Sequence, residues 1–342
     1  MRRLRLGIVC VVVLAVLLPG LSTVSAQQNR IVVYSALPDL ETSLVHREFT
    51  KRTGIQVEAL VVPAAGTLQA RIRTEKDRPR ADVFVGGDRS LHIPLAREGL
   101  LLRYRSPAAA EAKIDPAYLD PDGYWHGWYL GTLSIIINTE RWDRELGPRG
   151  VRKPASWDDL TRPEFRGHFV MPSPVTTGGG YIFLAAQIFR LGEDRAWTFM
   201  RALNANASQY TPTAPGTIAL LERGEATVAM MWAHEAVGAR RLRFAPLEVT
   251  VPPDTGFEIG AVSIISGGPN PDGARAYVDF LMSRTPQDIN ARFGFRYAVR
   301  ADVGVPAGAT AFEQLKFVKY DLDWAVQNQA RLRERWTREI GR

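Results

Sequence analysis

Two ionisable side chains, His234 and Glu235, directly follow an apolar segment that runs from Ala226 to Trp232. The segment has the length of a strand covered on both faces, as in a parallel sheet. Open α/β sheets bind ligands at the carboxyl ends of their strands, so we expect a ligand site here. The two side chains could contact a phosphate and hydroxyl groups, coordinate a metal, or act as an acid–base pair. The alternative is a strand whose polar end meets solvent.

A loop rich in hydroxyl groups and glycine lies between a predicted strand, 167–171, and a predicted helix, 181–190. Hydroxyls and backbone N–H groups at a helix start bind anions, helped by the helix dipole. The loop lacks the lysine of a nucleotide-binding P-loop, so we do not expect ATP hydrolysis. A glycine turn that needs positive φ is the alternative. The candidate residues are Thr176, Thr177, Gly178 and Gly179.

Two further candidate ligand-binding residues are not part of a cluster in the sequence. Thr213 precedes another predicted helix and is a weaker anion-binding candidate, and Glu258 is a carboxylate beside an apolar segment that could equally be a surface cap. The other histidines are not grouped as a metal site requires, and we expect His46, His92 and His168 at the surface. There is no Gly-x-Ser-x-Gly sequence. We therefore predict no catalytic residues, no metal and no cofactor.

The N-terminus of the 342-residue chain predicts export. Three arginines precede an apolar segment, 6–21, and the small residues Val24-Ser25-Ala26 follow, as in a secretory signal peptide (1–26). An uncleaved anchor is the alternative. The single cysteine, Cys10, lies in the part that export would remove, so we expect no disulfide in the mature protein. Removal of the three arginines takes the formal net charge from +7 to +4. This mild excess favours anionic ligands weakly, and ordinary surface chemistry is the alternative. No nucleic-acid motif is present.

Strands alternate with helices along the first part of the chain, which predicts an α/β fold with a largely parallel sheet. All three predicted strands end in small or turn-forming residues, which leaves their ends open to a ligand. Ser35 and Gly87 lie at two of these ends. The predicted strands are 30–35, 55–62 and 81–85, and the predicted helices are 40–53 and 67–77.

A second section begins near Gly131, and the chain returns to the first section after Glu258. We therefore predict that segments 131–137 and 258–265 cross between two lobes. The predicted division is 27–130 plus 261–342 for the first lobe and 131–260 for the second. Within the second section, Ser156 and Asp159 have the spacing of a helix cap. The C-terminal segment 311–340 is predicted to be helical.

Several segments resemble the type II periplasmic solute-binding proteins of ABC importers, in the branch that contains ferric-ion, hexose-phosphate and 2-aminoethylphosphonate binders. The resemblance covers roughly residues 30–340 and implies two lobes with the ligand between them. It implies a periplasmic protein, expected to be a monomer, with an ABC permease in the inner membrane as its partner. The segments that carry the resemblance are 33–35, 81–87, 98–100, 127–131, 138–140, 154–160, 222–225 and 321–324.

The ligand implied by the resemblance is a small phosphorylated or phosphonate compound. Ferric-ion binders have adjacent tyrosines where this chain has Trp232-Ala-His-Glu235, so the phenolates that a hard ferric ion prefers are missing. Hexose-phosphate binders have a histidine followed by an acidic residue there, and a turn like Gly256-Phe-Glu258. They often have a third hydroxyl where this chain has Gly179. The alternatives are a ferric-ion binder, a sensor subunit and an exported hydrolase. The expected ligand-binding residues are Ser35, Gly87, Thr176, Thr177, Gly178, Gly179, Thr213, His234, Glu235 and Glu258.

Overall fold

The computed structural model describes residues 29–37 and 39–341. The predicted signal peptide, with Cys10, lies outside these residues. The first part of the chain alternates strands and helices, as the sequence predicts. It contains β1 (Arg30–Ser35), α1 (Asp39–Thr53), β2 (Gln56–Val61), α2 (Ala65–Thr74), β3 (Val83–Asp88), α3 (Arg89–Arg97), β4 (Leu101–Leu102) and α4 (Pro107–Glu111).

The middle part of the chain begins with a long strand that is buried along its whole length. β5 (His126–Asn138) is this strand, and α5 (Thr139–Glu145) follows. Next come β6 (Phe169–Pro172), α6 (Gly178–Leu191), α7 (Glu193–Asn206), β7 (Ala207–Thr211), α8 (Ala214–Glu222), β8 (Val228–Trp232), α9 (Ala233–Arg243) and β9 (Leu247–Thr250).

The last part of the chain returns through β10 (Phe257–Ile265), α10 (Pro271–Met282), α11 (Arg284–Ile289) and β11 (Tyr297–Ala298), and it ends with α12 (Leu322–Glu339). Short 3₁₀ turns occupy Pro116–Tyr118, Gly147–Arg149, Asp158–Thr161, Pro163–Phe165 and Phe312–Gln314, and a π turn occupies Asn290–Gly294. None of the helices among the described residues is both long and apolar enough to cross a membrane.

The sheet is mixed, although the sequence predicts a largely parallel one. β2, β1 and β3 run parallel, as do β7, β6 and β8. Between these two groups lie β10 and β5, which pair with each other in antiparallel fashion and join the order β2-β1-β3-β10-β5-β8-β6-β7. The strands are antiparallel because β5 leads the chain out of the first group and β10 leads it back.

Two lobes form around separate apolar cores. We call the part around β1, β2 and β3 the first lobe, in which Ile31, Val33 and Val85 pack against α10 side chains such as Leu281. The part around β6, β7 and β8 is the second lobe. Since β5 contributes side chains to both cores and β10 returns the chain beside it, these two strands form the connection on which the lobes can hinge.

The C-terminal segment differs from its prediction in extent and in location. Helix α12 begins at Leu322, where Asp321 accepts a hydrogen bond from the N–H of Trp324. It packs Ala325, Leu332 and Trp336 into the core of the second lobe, whereas the predicted division assigns this segment to the first. These three residues are seven and four positions apart and form an apolar stripe along α12. The helix lies in the second lobe because this stripe packs against α6. The remaining boundaries of the division stay a prediction.

Two of the histidines expected at the surface are buried. His92 is 0% exposed, its Nδ1 lies 2.8 Å from Ser263 Oγ, and its ring stacks on Phe84. His46 is 9% exposed and its Nε2 lies 2.9 Å from the hydroxyl of Tyr277. Burial lowers the pKa of His92 to about 3 and that of His46 to about 4, so both are neutral. They are polar members of the first core.

Candidate ligand-binding site

A cavity of about 380 Å³ lies where the two lobes face each other. The first lobe contributes the ends of its parallel strands, and the second lobe contributes the starts of α6 and α9. Eight of the ten predicted site residues line it, and they come from four separate segments of the chain. These residues are Gly87, Thr176, Thr177, Gly178, Gly179, His234, Glu235 and Glu258.

The other two predicted residues have structural contacts nearby. Ser35 is completely buried, and its Oγ accepts a hydrogen bond from the N–H of Leu37 at 3.2 Å. Thr213 caps α8, where its Oγ1 accepts from the N–H of Gly216 at 3.3 Å. Its neighbours Pro212 and Ala214 line the cavity instead. Both hydroxyls therefore hold the backbone beside the cavity.

The hydroxyl–glycine loop forms the start of α6, as an anion site requires. Thr177 is the N-cap: its Oγ1 accepts from the N–H of Gly180 at 3.1 Å and donates to the carbonyl of Ser173 at 2.8 Å. The hydroxyl hydrogen of Thr177 is therefore not available to a ligand. Thr176 is exposed beside it. The first N–H groups of a helix have no intrahelical partner, and that of Gly180 is taken by the cap. The donors left for an anion are therefore the N–H groups of Gly178 and Gly179 and the hydroxyl of Thr176.

His234 also lies on the second-lobe side of the cavity, at the start of α9. It is 6% exposed, and its ring is nearly parallel to that of Trp232, with centroids 6.1 Å apart. Burial, and next the positive charge of Arg296, lower the pKa of His234 well below its usual value. Its imidazole is therefore neutral near pH 7. No hydrogen-bond partner of its Nδ1 is found among the described residues, which leaves this atom for a ligand or water.

Glu258 lies close to His234, and both side chains lie over Gly131 of the hinge strand β5. It pairs with Gly131 in the β10–β5 ladder, and only glycine fits there: a Cβ on residue 131 would lie 2.8 Å from Glu258 Oε1. Burial raises the pKa of Glu258 to about 8, and Asp88 and Glu235 add to the effect against the opposing charge of Arg296. At neutral pH the empty site therefore holds a protonated carboxyl, which can donate a hydrogen bond as well as accept one.

Arg296 is the main site residue that the sequence reasoning missed. It is 4% exposed and forms an ion pair with Glu41. Its guanidinium lies 4.9 Å from the centre of the Tyr129 ring. Burial opposes its charge, but the carboxylate of Glu41 more than offsets this, and the pKa of Arg296 is raised. The sequence does contain a signal that could have identified Arg296, because it is the one charged residue in the otherwise apolar segment from Phe295 to Val299.

Asp88 was missed as well, although it follows the predicted Gly87. Its Oδ1 caps α3 by accepting from the N–H of Ser90 at 2.9 Å, and its Oδ2 accepts from the N–H of Ile259 at 3.2 Å. Asp88 thus ties β3 to the hinge strand β10 at the edge of the cavity.

The donor set of the cavity does not resemble a metal site. Within residues 29–37 and 39–341, no three His, Cys, Asp or Glu side chains converge as metal ligands. Among the described residues that line the cavity, Tyr129 is the only tyrosine. Burial and the neighbouring Glu258 raise its pKa well above the usual value, so the phenol stays protonated. The pair of phenolates that would favour ferric ion is not formed here.

A polar cleft between two lobes that are joined by crossing strands defines a solute-binding protein of the two-lobed periplasmic type. This chain belongs to the family of bacterial extracellular solute-binding proteins, whose sequence profile matches residues 78–322.

Individual relatives agree with this assignment. An uncharacterized protein of Haemophilus influenzae is 30% identical over 339 residues, which is 95% of each chain. The periplasmic binding protein AfuA from Actinobacillus pleuropneumoniae, solved with fructose-6-phosphate bound, is 30% identical with a TM-score of 0.84, covering 91% of this chain and 98% of its own. Iron-bound HitA from Pseudomonas aeruginosa shares the fold at 20% identity, with a TM-score of 0.77 and coverage of 92% and 99%.

Proposed function

We propose that this protein binds a small phosphorylated or phosphonate organic compound in the periplasm and delivers it to an ABC permease in the inner membrane. The observation that carries the proposal is that two different kinds of polar group line one cavity. The start of α6, which we call the anion end, supplies N–H and O–H donors, whereas His234, Glu235, Glu258 and Arg296 form a cluster of ionisable side chains. A ligand with an anionic group and a polar organic part fits such a cavity.

The start of α6 suits the phosphoryl or phosphonyl group. Near neutral pH such a group offers mostly acceptor oxygens, and the loop offers N–H and O–H donors. Each charge-assisted hydrogen bond contributes about 1.5–3 kcal/mol, so a few of them suffice for micromolar binding after the cost of ordering.

The cluster of ionisable side chains suits hydroxyl or ammonium groups. The neutral Glu258 carboxyl both donates and accepts, and His234 offers an unpartnered ring nitrogen among the described residues. Glu235 adds an acceptor close by, with its Oε1 3.7 Å from His234 Nε2. A ligand ammonium group would lower the pKa of Glu258, so that the carboxyl releases its proton to solvent and the carboxylate pairs with the ammonium. A sugar hydroxyl would leave the carboxyl protonated.

Hinge closure explains how binding is signalled. The anion end belongs to the second lobe, and Arg296, Gly87 and Asp88 belong to the first, so a ligand that touches both stabilises the closed arrangement. A permease would then distinguish the closed from the open form. A sensor that presents the closed form to a membrane kinase uses the same site, and no feature of the cavity favours it over transport. The ferric alternative has less support because the cavity lacks a pair of tyrosines.

Thermal unfolding tests the proposal directly. The exported protein is scanned with fructose-6-phosphate, 2-aminoethylphosphonate, inorganic phosphate, ethylamine and ferric citrate. A ligand at a hundredfold excess over its Kd adds about 2.7 kcal/mol of stability. We expect a clear rise in Tm with an organophosphorus compound, a smaller rise with inorganic phosphate, and none with ethylamine or iron. A charge-transfer colour with iron, and no shift with the organophosphorus compounds, would contradict the proposal.

A further inference from the structure

The last turn of α9 and the residue after it carry an unusual exposed sequence, Arg240-Arg241-Leu242-Arg243-Phe244. All five residues are exposed. Phe244 is 89% exposed and has a φ of 56°, in the left-handed region that disfavours bulky side chains. A phenylalanine that is both strained and solvated lowers stability, so its position calls for a functional explanation.

Other apolar side chains surround the same place. Leu242 is 44% exposed, Leu40 at the start of α1 is 53% exposed, and Phe293 in the π turn is 42% exposed. These three line one surface depression of about 120 Å³, on the far side of His234 from the ligand cavity. Together with Phe244 they form a group of projecting apolar side chains that draws on both lobes.

Three arginines are neighbours of this group in sequence, since Arg240 and Arg241 precede Leu242 in α9 and Arg292 precedes Phe293. Within the described part of the chain no ion pair is recorded for Arg240, Arg241 or Arg292, and all three are exposed. Arg243 differs, since its Nε lies 2.5 Å from Glu222. We name this set, Leu40, Arg240, Arg241, Leu242, Phe244, Arg292 and Phe293, the arginine–phenylalanine surface.

We propose that the arginine–phenylalanine surface docks on a bilayer of anionic phospholipids. Arginines attract acidic headgroups, while projecting phenylalanine and leucine side chains enter the boundary between headgroups and acyl chains. Phe244 projects into solvent directly after the end of α9. Insertion into a bilayer requires a projecting apolar side chain, whereas docking on a folded partner usually requires a complementary surface. Without the three arginines of the predicted signal peptide, the formal net charge falls from +7 to +4, and this positive charge assists the approach to an anionic surface.

Vesicle co-sedimentation of the exported protein tests the proposal. Vesicles of equal parts phosphatidylglycerol and phosphatidylethanolamine are compared with vesicles of phosphatidylcholine alone. We expect binding to the anionic vesicles that decreases as salt is added, because the arginines are solvent-exposed. Binding to neutral vesicles as strong as to anionic ones, or no binding to either, would overturn the proposal.

Variants identify the residues responsible. Arg240→Gln with Arg241→Gln should weaken partitioning about 25-fold, since each arginine near an anionic bilayer contributes about fivefold. The charge-matched control is Lys76→Gln with Arg78→Gln, on exposed positions after α2, which should change partitioning much less. Equal losses from the two pairs would show that only net charge matters and would overturn the assignment to this surface.

Phe244→Asn separates a docking role from a structural one. Asparagine tolerates the left-handed conformation, so the variant should keep or raise the Tm while it weakens vesicle binding about tenfold. Val175→Asn, at another exposed apolar residue, is the control and should leave vesicle binding intact. Retention of the exported protein by immobilised poly-glutamate through Arg240 and Arg241, without vesicle binding, would assign the surface to an acidic protein and overturn the proposal.

Discussion

The carboxylate of Glu235 lies 3.8 Å from the guanidinium of Arg296, and this contact joins the two lobes inside the cavity wall. Glu235 comes from α9 of the second lobe, and Arg296 comes from the segment before β11, which pairs with β5. Arg296 also forms an ion pair with Glu41 of the first lobe. The positive charge of Arg296 therefore neutralises carboxylates on both sides of the hinge. The ionisable cluster of the cavity beside Arg296 depends on that charge.

We predict that Arg296→Met lowers the free energy of unfolding by about 3–5 kcal/mol, because it leaves the buried Glu41 without a counter-charge. Urea unfolding measures the loss. The double variant Arg296→Met with Glu41→Leu removes both charges and should recover much of it. A double variant as unstable as the single one would contradict the assigned pairing.

We predict that Glu258 makes stability fall as the pH rises. Its pKa is raised on folding from 4.5 to about 8, so its favourable contribution is complete below pH 4.5 and is lost progressively as the pH rises to about 8. Glu258→Gln removes this dependence. The free energy of unfolding of Glu258→Gln, relative to that of the unchanged protein, should increase by at most about 1.4 kcal/mol per pH unit across this range.

The measurement is a series of urea unfolding curves from pH 4.5 to pH 8, in the absence of ligand. Glu111→Gln, at an exposed carboxylate, is the matched control and should follow the unchanged protein at every pH. A constant difference between Glu258→Gln and the unchanged protein would show that folding does not raise the pKa of this carboxyl.

We predict that Gly131→Ala damages ligand binding, since the added methyl group would lie 3.0 Å from His234 Nδ1 and 2.8 Å from Glu258 Oε1. Overpacking of this kind costs about 1–3 kcal/mol and would shift both side chains. Calorimetric titration with fructose-6-phosphate measures the loss of affinity. Gly304→Ala, where a Cβ meets nothing within 4 Å, is the control and should bind as before.

We predict that the two threonines at the anion end act differently. Thr177→Ala removes a helix cap and should lower stability by about 1 kcal/mol. Thr176→Val should leave stability within about 0.5 kcal/mol, because the residue is exposed and away from the core. It should weaken binding of inorganic phosphate and fructose-6-phosphate about tenfold or more, since it loses a donor to a charged group. The opposite pattern would show that Thr177 is the donor.

The sequence predicts the local features of this site and misses the long-range ones. The apolar segment before His234 and the threonine–glycine loop are local patterns, and the structure brings both to the cavity. The Ser156–Asp159 cap is also local, and Asp159 Oδ2 accepts from the N–H of Ser156 at 2.9 Å. Arg296 could not be placed, because its partner Glu41 is 255 residues away.

Burial of His92 is a second example of a long-range effect. In its helix, α3, His92 is buried together with Leu91 and Leu95. The partner that makes burial of the imidazole possible is Ser263 of β10, 171 residues later. The mixed sheet has the same origin, since strand direction is set by where the chain crosses and returns rather than by the residues of β5 or β10. Such pairings depend on the whole topology, which periodicity does not report.

The location of α12 has a consequence for when the native state can form. A chain is synthesised from its N-terminus, yet the core of the second lobe is incomplete until Trp336 and its neighbours on the last helix are available. The second lobe begins in the middle of the chain, and its core is completed only by α12. Folding of that lobe therefore cannot finish before α12 has been synthesised, and a nascent chain without α12 exposes part of the apolar surface of the core.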